Sequence, residues 1–202
     1  MVTTSSFVAE VDEILPGVIA DRRWLHEHPE LGFQEYETAA FVAQRLESLG
    51  VLNIETGIGG TGVTGMICGG QGDGMVVMVR ADMDALAILE ENAVDYASQN
   101  PGVMHACGHD AHTAMLLGLA RILIARKSEF KGAVKLLFQP AEEAHPGGAI
   151  AMIREGVLEN PHVNASFGMH VMSDIPAGKI GVRAGLLTAN SDRFTIRIQG
   201  KG

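Results

Sequence analysis

Apolar residues recur along this chain in two rhythms, and the rhythms divide it into helices and strands. Between residues 6 and 24, Val8, Val11, Ile14, Leu15, Val18 and Ile19 fall at the spacing of a helix with one buried face. Pro16 either kinks that helix or marks its start. Over residues 35–49 the same rhythm turns Ala39, Ala40, Val42, Ala43, Leu46 and Leu49 inward, with Gly50 as the C-cap. Further helices are predicted over 114–125 and about 148–155. The second rhythm is a continuous apolar run, the mark of a strand covered on both faces. It occurs at residues 75–79 and 133–138, and less regularly at 163–169. Strands alternating with helices predict an α/β domain whose mostly parallel sheet is flanked by helices.

One segment invites a different reading. Gly60-Thr61-Gly62-Val63-Thr64-Gly65 matches G-x-G-x-x-G, the fingerprint of dinucleotide-binding turns. That fingerprint has meaning only between a strand and a helix, where the helix N-terminus holds the pyrophosphate. Here Met66-Ile67-Cys68 look extended and run into a turn at residues 69–74, so a short β-hairpin is expected instead.

Composition narrows the partners. With 24 acidic residues against 15 Lys and Arg, the formal charge of -9 argues against nucleic acid or an anionic membrane surface. Cations and small molecules fit better. The 202 residues suffice for one substantial core, or for one core and the beginning of a second domain, and the ten methionines read as core filler. Cys68 and Cys107 lie in dissimilar contexts, so no disulfide and a reducing compartment are expected. The first 15 residues have neither a basic stretch nor a continuous apolar one, and no apolar run reaches the length of a membrane span. The expected location is the cytoplasm.

The chemistry gathers at residues 104–112, Met-His-Ala-Cys-Gly-His-Asp-Ala-His. Cys107 and His109 form a Cys-x-His pair, with thiolate and imidazole donors of the kind zinc prefers and a glycine between them that lets both point to one place. A buried inert cysteine beside loop histidines is the plainer reading of this stretch taken alone. His26 and His28 are further candidates, although a solvated helix end accounts for them more simply. Other groups follow strands directly: Asp82 and Asp84, Glu142 and Glu143, and His170. In a parallel sheet these would share one rim with the Cys107 loop, beyond the carboxyl ends of the strands. So many acids stay ionised together only with cations present. Two divalent metals about 3.5–4 Å apart would meet that need and acidify a bridging water. Adjacent residues in extended chain point to opposite sides, so one of Glu142 and Glu143 can bind metal while the other faces the water as general base. A solvated surface pair is the alternative.

The segments RRWLHEHPELGFQEYET, GTGVTGMI, RADMDAL, MHACGHDAHTAMLLG, LFQPAEE and GMHV, with the later SDRFTIRIQGKG, resemble in this order the amidohydrolase branch of the M20 metallopeptidases. That branch includes hippurate hydrolases, N-acyl-amino-acid amidohydrolases and auxin-conjugate hydrolases. The resemblance implies Cys107, His109, Glu143 and His170 as ligands of a two-metal centre and Glu142 as the general base. It also implies that Asp84, which spacing alone does not separate from Asp82, orients a ligand. Asp110 then reads as a partner that fixes a ligating imidazole. The implied cofactors are two divalent ions, zinc or manganese first and nickel or cobalt after them. The implied substrate is a small N-acyl amino acid, and the implied assembly of the complete protein is a homodimer. Ala87 stands where the family usually has proline. Residues 1–185 are expected to form the first part of the catalytic domain, and 186–202 the first strand of an α+β lid and dimerisation domain. In the family pattern one more metal-binding histidine follows later. The competing expectation is therefore a catalytically incomplete piece that at most binds metal.

Overall fold

The computed structural model describes residues 4–189, 192 and 194–201. They divide into two units, Met1–Val171 and Met172–Gly202. In the first, α1 (Thr4–Glu27) and α2 (Tyr36–Leu49) precede β1 (Leu52–Ile58), β2 (Gly62–Cys68) and β3 (Val76–Asp82). Then come α3 (His109–Ala125), β4 (Ala133–Gln139), α4 (Gly148–Arg154) and β5 (Ala165–Gly168).

The five strands form one sheet in the order β1-β2-β4-β3-β5. The expectation of a mostly parallel sheet is corrected here. β3 pairs in parallel with both β4 and β5, but β2 runs antiparallel to β1 and to β4. The glycine-rich segment is the cause: it closes a β1–β2 hairpin and starts β2, so the chain turns back where a crossover helix would have kept it parallel. A side chain has no room at Gly65, where a Cβ would come 2.7 Å from Val51 Cγ1. The dinucleotide fingerprint therefore lies in a hairpin.

Alternation along the strands sorts the core. Leu136 and Phe138 of β4 face the side covered by α1, α2 and α3, where they join Leu25, Val42, Leu46, Val63, Leu116 and Leu117. Leu137 faces the other side and meets Met78, Met152 and Val157 beneath α4. α1 continues through Pro16 without a break. Its inward stripe differs from the one expected: Val8, Val11, Leu15 and Ile19 are exposed, while Val18 packs on the core and touches α3 at Gly118.

The helix end that carries His26 and His28 is also corrected. His26 is buried at 4% exposure rather than solvated. His28 is half-buried, with its Nδ1 2.7 Å from the Trp24 carbonyl oxygen and its ring stacked on Trp24. Among the described residues of Met172–Gly202 there is no helix or strand. Phe194, Ile196 and Ile198, which keep a strand's period of two, are exposed. Among the described residues no helix is long and apolar enough to cross a membrane.

Candidate metal centre

The parallel pairing sets the rim. Asp82, the last residue of β3, lies level with Gln139, the last of β4, and Met83 N continues the ladder to the Gln139 carbonyl at 2.9 Å. Beyond β3 the chain is held on both sides. Ala85 N donates to the Glu30 carbonyl, while Leu86 and Met104 exchange a pair of backbone hydrogen bonds. The second of these contacts draws the Cys107 loop against the acids that follow β3.

Asp84 organises the centre. Its Oδ1 accepts the backbone N–H of Glu142 and its Oδ2 that of Glu143, both at 2.9 Å. The two glutamates therefore leave β4 on a path fixed by one buried carboxylate. Glu35 secures the same path one residue earlier: its Oε1 accepts the Ala141 N–H at 2.7 Å and its other oxygen accepts the Thr61 hydroxyl. Ala141 sits at φ 47°, a conformation uncommon for residues other than glycine.

α3 begins at His109, five residues before the apolar rhythm does. Gly108 precedes it at φ 82°, and this turn aims Cys107 and His109 into the same space. Cys107 Sγ is 3.4 Å from His170 Nε2. His109, fully buried, has Nδ1 3.3 Å from Asp84 Oδ1 and Nε2 3.7 Å from Asp82 Oδ2 and 4.0 Å from Glu143 Oε1. None of these contacts has hydrogen-bond geometry, so both ring nitrogens lack a hydrogen-bond partner among the described residues. Donor atoms of Cys107, His109 and His170 all lie within 4.8 Å of one another, as do those of His109, Glu142 and Glu143. Cys107, Glu142, Glu143 and His170 thus gather around His109, with Glu142 and His170 exposed and Cys107 and Glu143 half-buried.

The electrostatics follow from this crowding. Burial pushes the Asp82 carboxyl up, but the His112 hydrogen bond, Arg80 and His109 outweigh it and bring Asp82 down to about 2. Burial also pushes Asp84 up, and the adjacent His109 ring together with the two backbone N–H groups leaves it below the ordinary value. Burial lowers His109, yet Asp84 and Asp82 raise it above the usual histidine value. Cys107 is pushed up to about 12 by burial and by the carboxylates of Glu143, Glu142 and Asp82. A thiol so strongly protonated, an imidazole with unpartnered nitrogens and a ring of carboxylates are the donor set that a divalent cation would satisfy and deprotonate.

One role differs from the sequence reading. The Asp110 carboxylate makes no hydrogen bond to His109 or His170 among the described residues. It turns away into the core, where its Oδ2 meets His26 Nδ1 at 2.6 Å and Arg22 Nε at 2.9 Å, and its Oδ1 accepts the Ala111 N–H. Asp82 and Asp84, which spacing left unresolved, separate cleanly: Asp84 serves His109 and the glutamates, while Asp82 binds His112 at 2.6 Å. Sequence reasoning gave His112 no role, although its position three residues after His109 on a helix places the two on one face. Glu35 offered no signal, because its partners lie 26 and 106 residues away.

Known proteins resemble this chain in sequence and fold. Residues 78–201 match peptidase family M20/M25/M40. The chain is 50% identical over 192 residues to an N-acyl-L-amino acid amidohydrolase of Geobacillus stearothermophilus, covering 95% of this chain and 51% of that one. It is 48% identical over 181 residues to an N-acetylcysteine deacetylase of Bacillus subtilis, covering 90% and 47%. Its fold resembles the crystal structure of the Bacillus subtilis YXEP protein, described as a dinuclear metal binding peptidase from the M20 family, with a TM-score of 0.79 and 45% identity. That likeness covers 85% of this chain and 47% of the other. The chain spans about half the length of these relatives. With a family match over more than half of its residues, the chain belongs to peptidase family M20/M25/M40.

Proposed function

We propose that the full-length protein hydrolyses the amide bond of N-acyl amino acids, hippurate-like compounds among them, at a two-metal centre. In this reading Cys107, His109, Glu143 and His170 are the ligands that this chain contributes. The observation that carries it is His109: a buried imidazole with no hydrogen-bond partner among the described residues, facing a thiol, a second imidazole and the Glu142–Glu143 pair. Bound divalent ions supply Lewis acidity toward the amide carbonyl and toward water. Thiolate with imidazole favours zinc, and the carboxylates admit manganese, nickel or cobalt. The relatives named for N-acyl amino acid and N-acetylcysteine hydrolysis, and the dinuclear neighbour, support the same reading. A cytoplasmic setting agrees with two free cysteines. A lid strand from Leu186 and a homodimer of the complete protein belong to the same proposal.

The residues divide the work. Glu142 is exposed at the end of a segment that Asp84 and Glu35 hold by its backbone, so its carboxylate reaches the substrate side while its main chain stays fixed. It takes a proton from the attacking water and returns it to the leaving nitrogen. Asp84 accepts from both glutamate N–H groups and stands beside His109 Nδ1, which turns Nε2 toward the donor cluster. Glu142→Gln in the full-length protein is expected to lower kcat for N-acyl amino acids by about 10²–10⁴-fold with metal content unchanged. Hydrolysis at the wild-type rate would remove Glu142 from the role of base.

A further inference from the structure

We infer that His112 is a positioning residue that fixes the His170 ligand, acting through the main chain of Val171. The inference rests on the reading of His170 as a metal ligand. His112 is 1% exposed in the first turns of α3 and is spent on two partners of opposite kind. Its Nδ1 lies 2.6 Å from Asp82 Oδ1, and its Nε2 lies 2.9 Å from the backbone nitrogen of Val171. A carboxylate that receives Arg80 Nη1 on its other oxygen acts here as an acceptor, so the His112 proton sits on Nδ1. A backbone N–H only donates, so Nε2 presents its lone pair. The two partners together select one neutral tautomer.

Val171 passes the constraint on. Its carbonyl oxygen lies 2.6 Å from His170 Nδ1. A carbonyl only accepts, so His170 carries its proton on Nδ1 and leaves the lone pair on Nε2, the nitrogen 3.4 Å from Cys107 Sγ. One residue, Val171, therefore receives its position from His112 through its N–H and sets the orientation of His170 through its carbonyl. The constraint is needed because His170 is exposed and lies beyond the last paired residue of β5. Packing points the same way. Val171 presses on Gly108, where a Cβ would come 2.4 Å from Val171 Cγ2, so the segment carrying His170 rests on the glycine between Cys107 and His109.

The test uses the full-length protein and two variants that separate the two nitrogens. His112→Asn keeps a polar atom near Asp82 and cannot reach Val171. His112→Gln extends an amide oxygen toward the Val171 N–H. Zinc affinity, measured by chelator competition, is expected to fall about 10–100-fold at one of two sites in His112→Asn and to stay within about threefold of wild type in His112→Gln. Activity of His112→Asn recovers on saturation with zinc, with KM unchanged. Wild-type zinc affinity in a folded His112→Asn overturns the inference and leaves the metal centre standing. Absence of zinc from the wild-type protein overturns the metal centre itself. If His112→Asn fails to fold by circular dichroism, Val171→Pro deletes the same hydrogen bond from an exposed residue, and there too an unchanged affinity overturns the inference.

Discussion

His109 and Asp110 are consecutive in the first turn of α3, both fully buried, and they look into two different clusters. On the Asp110 side the polar groups of Asp110 and His26 are answered, while the neighbouring His105 ring, its centroid 6.5 Å from that of His26, makes no hydrogen bond among the described residues. Arg22, His26 and the Ala111 N–H all meet the Asp110 carboxylate, and His26 Nε2 reaches Glu90 Oε1 at 3.0 Å. On the His109 side both ring nitrogens are left without a hydrogen bond. The residue types are nearly the same in the two clusters. What sets His109 apart is therefore that its unsatisfied nitrogens face other metal-type donors, whereas the Asp110 carboxylate is satisfied within the protein. Asp110 is a closed account of charges, and His109 is an open one.

The contrast breaks in opposite directions. Asp110→Ala leaves Arg22 and His26 facing an empty space and is expected to cost about 3–5 kcal/mol in urea unfolding of the full-length protein, with zinc stoichiometry retained in the folded fraction. A loss below about 1 kcal/mol would mean that the network carries no more than a surface pair does. His109→Leu replaces an unsatisfied imidazole with an apolar group of similar size. In metal-free protein at about pH 8 the expected change in stability is no more than about 1 kcal/mol, while zinc binding is lost. A large destabilisation would show that His109 is bonded within the protein after all.

The smallest expected effect sharpens the comparison through pH. The Asp110 hydrogen bond raises the affinity of His26 for its proton, burial opposes it, and Glu90 adds to it, with a net rise above the ordinary 6.5. The folded protein thus holds this proton more tightly than the unfolded chain. The stabilisation is complete below the unfolded value and is lost as pH rises through the higher folded one. The stability gap between wild type and His26→Gln should therefore narrow from about pH 6 to about pH 9 in parallel urea titrations. A gap that widens across that window would mean that the native state favours neutral His26.

Much of this was legible in the chain. The apolar runs of β3 and β4 announced themselves, and the acids that follow them reached one rim because a parallel pair brings both carboxyl ends to the same edge. Other features were hidden for identifiable reasons. β1 is exposed along much of both faces, so neither alternation nor a continuous apolar run marks it, and the hairpin expected at the glycine-rich segment did not tell that its second strand pairs antiparallel with β4. α3 starts on His109, Asp110 and His112, buried polar residues that a search for apolar periodicity passes over. Once that start is misplaced, the directions of its first residues are lost: His109 and Asp110 lie about 100° apart around the helix, which is why Asp110 turned out to serve His26 and not a ligand. The burial of His26 depends on Asp110 and Glu90, which are 84 and 64 residues distant. No local pattern carries that information.

The span of the contacts that build the centre bears on how it comes into being. Asp84 reaches Glu142 across 58 residues, and Cys107 meets His170 across 63. Contacts of such range form only after the intervening chain has paid its loop-closure entropy and the parallel strands have found their register. A metal ion arriving early finds donors scattered along a disordered chain. In the proposed centre, loading would therefore be the final act of folding, following the assembly of the rim that receives the metal.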